Sequence, residues 1–185
     1  AIIGSVVTDN SKYYSDMFLL FIDEQGNEIK HVVYTNELEQ KGRCLTELTT
    51  DSEILVLAAT EAINSTNPNA ALYYSTDING IKLHEPKNYN GTNVSITGIC
   101  NNQNGDTIYI AGYDNGKPFL VLINPLTGIS IGKYSVGIDA QINSIVKNNS
   151  NHLFICGYKN VTSKNNEVMV AEIKYDNEST AFNVD

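Results

Sequence analysis

Three cysteines, three histidines and a surplus of carboxylates are the groups in this 185-residue chain with types suited to chemistry. Cys44, Cys100 and Cys156 form no C-x-x-C pair, and their odd number leaves at least one thiol outside any intrachain disulfide. Their neighbours are apolar or small, as in Ile99-Cys100 and Ile155-Cys156-Gly157, which is the setting of small buried hydrophobes. His31, His84 and His152 lie far apart with no metal-ligand spacing, so packing or surface roles are expected. Asp23, Asp77 and Asp176 recur in the turn after the third strand in three of the four units described below. A catalytic pair needs two carboxyl groups converging at about 5–9.5 Å, whereas one Asp per turn forms turns. There is no G-x-S-x-G, no Walker A string and no G-x-G-x-x-G. The expectation is no catalytic residue, no metal ligand and no cofactor. Calcium is the one minor alternative, at turns such as Tyr113-Asp114-Asn115-Gly116, which offers two side-chain oxygens. An enzyme is the less favoured class.

Twelve Lys+Arg against 21 Asp+Glu give a net charge of −9. An acidic surface without a basic cluster argues against nucleic acid and anionic membranes as partners. No apolar run approaches the ~20 residues of a spanning helix, so no transmembrane segment is expected. With 42% hydrophobic and 18% charged residues the chain can bury a core, and its length suits one domain. The cysteines leave the redox compartment undecided.

The elements that would hold these residues repeat. Ile96–Gly128 reads ITGICNNQNGDTIYIAGYDNGKPFLVLINPLTG, and Ile142–Asp176 reads INSIVKNNSNHLFICGYKNVTSKNNEVMVAEIKYD. Both run through an apolar strand, an Asn-rich turn, a strand ending in a small residue, a loop, and a second apolar strand closing on Asn or Asp. LTELTTDSEILVLAATEA with ALYYSTDING is an earlier copy, and IIGSVVTDN with DMFLLFIDEQGNE a shortened one. Gly4, Ala59, Gly112 and Gly157 superpose as the small residue ending the second strand.

Each unit reads as four short strands rich in Ile, Val, Tyr, Phe and Leu. In the third they are Val94–Cys100, Thr107–Tyr113, Pro118–Asn124 and Ile129–Tyr134. Asn79-Gly80, Asn90-Gly91, Asn104-Gly105 and Asn115-Gly116 supply the positive φ of tight hairpins. One segment, Thr35–Leu48, suggests a short helix around Glu37-Leu38-Glu39. The runs Phe18–Ile22 and Phe119–Ile123 are expected to be buried on both faces. Four-stranded antiparallel units buried on both faces and repeated radially describe an all-β fold of β-propeller type. The blades fall at about 1–41, 42–92, 93–139 and 140–185, the first lacking its innermost strand.

At GDTIYIAGYDNGKPFLVLINPLTG, and at HLFICGYKN with VMVAEIKYDNESTAFN, the chain resembles bacterial β-propeller repeats of the SBBP or delta-sixty type. The resemblance covers about three quarters of the chain. Ala59-Thr60 and Asn177-Glu178 depart from the family's Gly-Tyr and Asp-Gly patterns. It implies a propeller segment of a bacterial surface or secreted protein. A secreted, periplasmic or cell-surface location is thus expected, with the cytoplasm left open. Six Asn-X-Ser/Thr triplets, at Asn64, Asn90, Asn93, Asn148, Asn160 and Asn177, stand against roughly three or four by chance in so Asn-rich a chain, and carry little weight.

In such a fold the loops after the second and fourth strands gather on one face. They hold Tyr13, Tyr14, Glu61, Tyr113, Asp114, Lys117, Tyr158, Lys159 and Asn160. Tyrosines beside amides and carboxylates suit contact with protein or glycan, unless Tyr113 and Tyr158 only end a buried strand. The expected function is a non-catalytic protein-interaction scaffold. A glycan-binding or glycan-processing propeller is the alternative. Lacking an inner strand, IIGSVV would leave an open edge, to be covered by further blades or by a partner protein.

Overall fold

The computed structural model describes residues 1–7, 15–35, 38–48, 54–61, 70–89, 93–102, 104–136, 140–148, 152–162, 165–176 and 181–184. Among them there is no helix, and the strands form four antiparallel sheets. The first holds β1 (Ile2–Val6), β2 (Asp16–Ile22) and β3 (Glu28–Tyr34). The second holds β4 (Gln40–Leu48), β5 (Ile54–Glu61), β6 (Ala70–Asp77) and β7 (Lys87–Tyr89). The third holds β8 (Val94–Asn101), β9 (Ile108–Asp114), β10 (Lys117–Ile123) and β11 (Ser130–Ser135). The fourth holds β12 (Ala140–Lys147), β13 (Leu153–Thr162), β14 (Asn165–Asp176) and β15 (Ala181–Val184). In every sheet the strands pair in chain order, and the inner strands β4, β8 and β12 lie side by side. This is the blade-like all-β fold that the repeats imply, with the first blade one strand short.

Local chemistry sets the hairpins. Asp114 and Lys117 close a two-residue loop in which Asn115 (φ 51°) and Gly116 (φ 78°) both take the left-handed conformation that lets the strands twist together. Asp23 and Asp77 accept backbone N–H groups two and four residues on, and Asn124 does so two and three residues on. The Asn27 side-chain amide, then the backbone N–H groups, hold the Asp23 carboxyl below the usual carboxylate range. The Ile81 N–H does most of the same for Asp77. The recurring carboxylates are therefore turn anchors. The side chain of Asp176 lies outside the described residues.

The small residue that marks each repeat has a structural cause. The inner strands β4, β8 and β12 each carry a bulge just past the residue facing it: between Gly42 and Cys44 opposite Ala59, Ile96 and Gly98 opposite Gly112, and Ile142 and Ser144 opposite Gly157. The bulge turns a carbonyl of the inner strand toward the second strand. A Cβ on Gly112 would fall on Ser95 O, and one on Gly157 on Gln141 O.

Three apolar cores lie between the four sheets. Met17, Leu19 and Tyr34 of the first sheet meet Leu55, Leu57, Leu72 and Tyr74 of the second. Val56, Ala58, Ala71 and Tyr73 on the opposite face of the second meet Ile96, Ile108, Ile110, Phe119 and Val121. Ala111 and Leu120 of the third meet Ile142, Ile145, Leu153, Ile155 and Ile173. The strand β10 is thus buried on both faces, as its continuous apolar run implies.

Three expectations need correction. Of the segment read as a helix, Thr35, Leu38 and Glu39 are not helical and Gln40–Leu48 is strand β4, because pairing with β5 and packing of Gly42 against the backbone of Gly4 outweigh local helix preference. Glu37 lies outside the described residues. Phe18–Ile22 is buried on one face only: Met17 and Leu19 are fully buried, whereas Phe18 and Leu20 stay half-exposed because no sheet packs outside them. Nor does the first sheet lack its innermost strand: β1 lies against β4 in that place, as β4 lies against β8. Among the described residues the strand it is short of is the outer one, and Ile2 and Val7 remain exposed.

Because the collision at Gly157 is with backbone, Gly157→Ala is expected to cost about 1–3 kcal/mol in urea unfolding, and Gly112→Ala the same. Lys117→Ala, on an exposed turn flank, should stay within about 0.5 kcal/mol. Equal midpoints for all three would show that the bulges do not pin these positions.

Candidate functional site

The strand register brings most of the candidate residues to one end of the sheets. Glu61 ends β5, Asp114 ends β9, Lys117 opens β10, and Tyr113, Tyr158 and Lys159 sit at matching heights. Tyr13 and Tyr14 lie outside the described residues, and Asn160 is placed only through its backbone partner Asn166.

The structure ties many of these side chains into the fold. Glu61, only 5% exposed, accepts Gln40 Nε2 at 2.9 Å and Asn88 Nδ2 at 3.2 Å, so its carboxylate bridges the first and last strands of its sheet. Asp114 accepts the Tyr89 hydroxyl at 3.2 Å and lies 3.5 Å from Lys133 Nζ. Tyr89 stacks on Phe119 with ring centroids 5.1 Å apart, and Lys133 Nζ sits 4.2 Å from its centroid. Sequence reasoning missed Gln40, Asn88, Tyr89 and Lys133, because each becomes a partner only through strand pairing or sheet packing. Tyr113 packs into the core between the third and fourth sheets with its hydroxyl buried, and burial pushes its phenol pKa upward. Tyr158 donates to Gln141 across the strand pair. Lys117 and Lys159 are exposed.

The histidines act as fasteners. His84 accepts the Ser75 N–H at Nε2 (3.2 Å), and its ring fills the space above Gly128 in the next sheet's turn. His31 pairs with Glu28 at 2.6 Å, and His152 pairs with Glu172. At the same end as the Asp and Asn turns, Lys30 Nζ donates to Ile78 O at 3.0 Å, Tyr34 donates to Gly80 O at 2.9 Å, and Asn101 donates to Glu47 O at 2.7 Å. Among the described residues no three of His, Cys, Asp or Glu converge as a metal site would require. Among the described residues no helix is long and apolar enough to cross a membrane.

Among the described residues the outer faces of the first and fourth sheets are left uncovered. On the first sheet, Val6, Phe18, Leu20 and Val33, with Ser5, Glu28 and His31, line a groove of about 400 Å³. On the fourth, Val146 (56% exposed), Val168 (89%) and Val170 (71%) stand in the open around Cys156.

The comparisons with known proteins agree with this architecture. The chain superposes on a solved structure of the Dos1 propeller with a TM-score of 0.55 and 8% identity, over 90% of this chain and 41% of that one. It thus spans well under half of that chain's length. A structure of KlHsv2, with loop 6CD replaced by a Gly-Ser linker, aligns over 99% of this chain and 82% of that one at 10% identity. Its TM-score of 0.35 carries no argument. No family model and no curated protein matches the sequence. The fold and its likeness to the Dos1 propeller define a β-propeller module.

Burial pushes the Cys44 and Cys100 thiols up to about 12, while Cys156 is exposed. At pH 8 the buried pair would then be thiolate to only about one part in ten thousand. In dilute solution, Ellman's reagent should titrate one thiol per chain rapidly and the others only after denaturant. Two or three fast equivalents in the folded protein would show that the sheets open on the assay's timescale.

Proposed function

We propose that this chain is a non-catalytic β-propeller module that serves as a protein-binding scaffold within a larger extracellular or envelope-associated protein or assembly. The observation that carries this reading is the pair of uncovered apolar faces at the two ends of the row of sheets. Apolar surface of that kind is costly in water and marks contact with protein. The polar rim points the same way. Glu61, Asp114 and Tyr158 have partners inside the fold, and the Tyr113 hydroxyl is buried, so they do not form the open aromatic platform that stacks against a sugar. The extracellular setting follows the likeness of the repeats to those of bacterial surface proteins.

Photocrosslinking in the source cells tests the reading. A benzophenone amino acid at position 20 or 168 should give discrete protein adducts, and one at position 117 should give few. Adducts confined to position 117, with binding to a glycan array abolished by Lys117→Ala and Tyr158→Phe, would move the function to glycan recognition.

A further inference from the structure

One of the three histidines is held in a way that leaves no place for a second ring proton. β7 pairs with β6 only at Ala71, Leu72 and Tyr73, so the outer edge of β6 beyond them needs other partners. The 78–86 loop between the two strands supplies them. Leu83 N–H donates to Ser75 O at 2.9 Å, and Asp77 N–H donates to Ile81 O at 2.9 Å. Ser75 N–H, on a residue with no exposed surface, donates to His84 Nε2 at 3.2 Å. The imidazole stands where the carbonyl of a longer β7 would accept. A backbone N–H can only donate, so Nε2 is the bare nitrogen and the ring proton sits on Nδ1. Nδ1 in turn donates to Glu85 O at 2.9 Å. Both nitrogens of the neutral ring are thus committed to backbone groups. The ring also lies against Gly128, in the turn before β11 of the next sheet, where a Cβ would collide with it.

We infer that His84 is a pH-sensitive latch: a proton on Nε2 sets one N–H against the Ser75 N–H, expels the ring, and frees the 78–86 loop from β6 and from the third sheet. The other two histidines respond with the opposite sign. His31 pairs with Glu28 and His152 with Glu172, so an added proton turns each contact into an ion pair. No such partner compensates His84. Asp77, Lys82, Glu85 and Lys87 are the charged residues of its own loop and the flanking strand ends, and the ion pairs of the described residues do not include the ring. Lys82 Nζ lies instead over the Tyr74 and Tyr34 rings, at 5.2 and 5.6 Å from their centroids, on the side of the first sheet. The facing turn, Asn124–Gly128, carries no ionisable side chain. Asp77 stays ionised while imidazoles titrate, because the Ile81 N–H above all holds its carboxyl below the usual carboxylate range. The response therefore belongs to the one ring whose second nitrogen must accept.

Amide exchange followed by NMR tests the latch. Between about pH 8 and pH 5, where imidazoles titrate, the protection of the Ser75 amide, corrected for its intrinsic rate, should fall by about 10-fold or more. The Leu83 amide should follow it, and the Ile110 and Ile155 amides of β9 and β13 should hold within about 2-fold. Ring-nitrogen shifts should show His84 protonated on Nδ1 alone at the upper pH and titrating with the midpoint of the Ser75 change. His84→Gln keeps an acceptor oxygen near the place of Nε2 and takes no proton, so its Ser75 amide should stay protected at both ends of the range. His84→Leu removes the acceptor and should leave that amide unprotected at both. His31→Gln and His152→Gln should keep the response of the unaltered chain. Where circular dichroism shows a variant unfolded, the two midpoints in the unaltered chain decide. Equal Ser75 protection across the range, a ring that takes a second proton while that protection persists, or a response surviving in folded His84→Gln would each overturn the latch.

Discussion

Everything in this molecule depends on flat apolar sheets stacking face to face. A four-stranded sheet is too small to be stable alone, and burial at roughly 25 cal/mol per Å² of apolar surface is the main term holding it against conformational entropy. The inner sheets meet the requirement by being apolar on both faces, as the fully buried pattern of β5 illustrates. The polar contacts are secondary and sit at the ends of the strands. There Lys30, Tyr34 and His84 bind one sheet to a turn of the next, and Asn101 binds back to β4 of the sheet before it.

Stacking constrains the strands in a second way. For inner strands to run side by side, each must bend away from its own sheet, and the bulges after Gly42, Ile96 and Ile142 provide the bend. A bent inner strand pushes its backbone toward the second strand, which then tolerates nothing larger than Gly or Ala. The small residue in each repeat is therefore a geometric consequence of packing. The same logic explains why chemistry is sparse. Carboxylates in turns are consumed by backbone N–H groups, and Glu61 is consumed by Gln40 and Asn88.

The surfaces left over from this economy are the outer faces. An internal sheet can carry Phe, Leu and Val on both sides because both are covered. The first and fourth sheets carry the same pattern with one side open. Those open sides continue the pattern of the module's own core.

By itself the sequence determined the all-β character, the strand order within each unit and the turn chemistry, because period, Asn-Gly pairs and β-branched runs act over a few residues. It placed the third unit's strands to within about a residue, as β8 to β11 show. It also marked the positions of Gly112 and Gly157, though not the bulges that require them. It misread Gln40–Leu48, whose strand state is imposed by β5. It could not distinguish the doubly buried run of β10 from the singly buried run of β2, since both read as continuous apolar stretches. Which rim residues become partners was decided by the tertiary structure alone. Tyr89 reaches Asp114 across 25 residues and Glu61 reaches Asn88 across 27, and only the packing of whole sheets brings such pairs within hydrogen-bond distance.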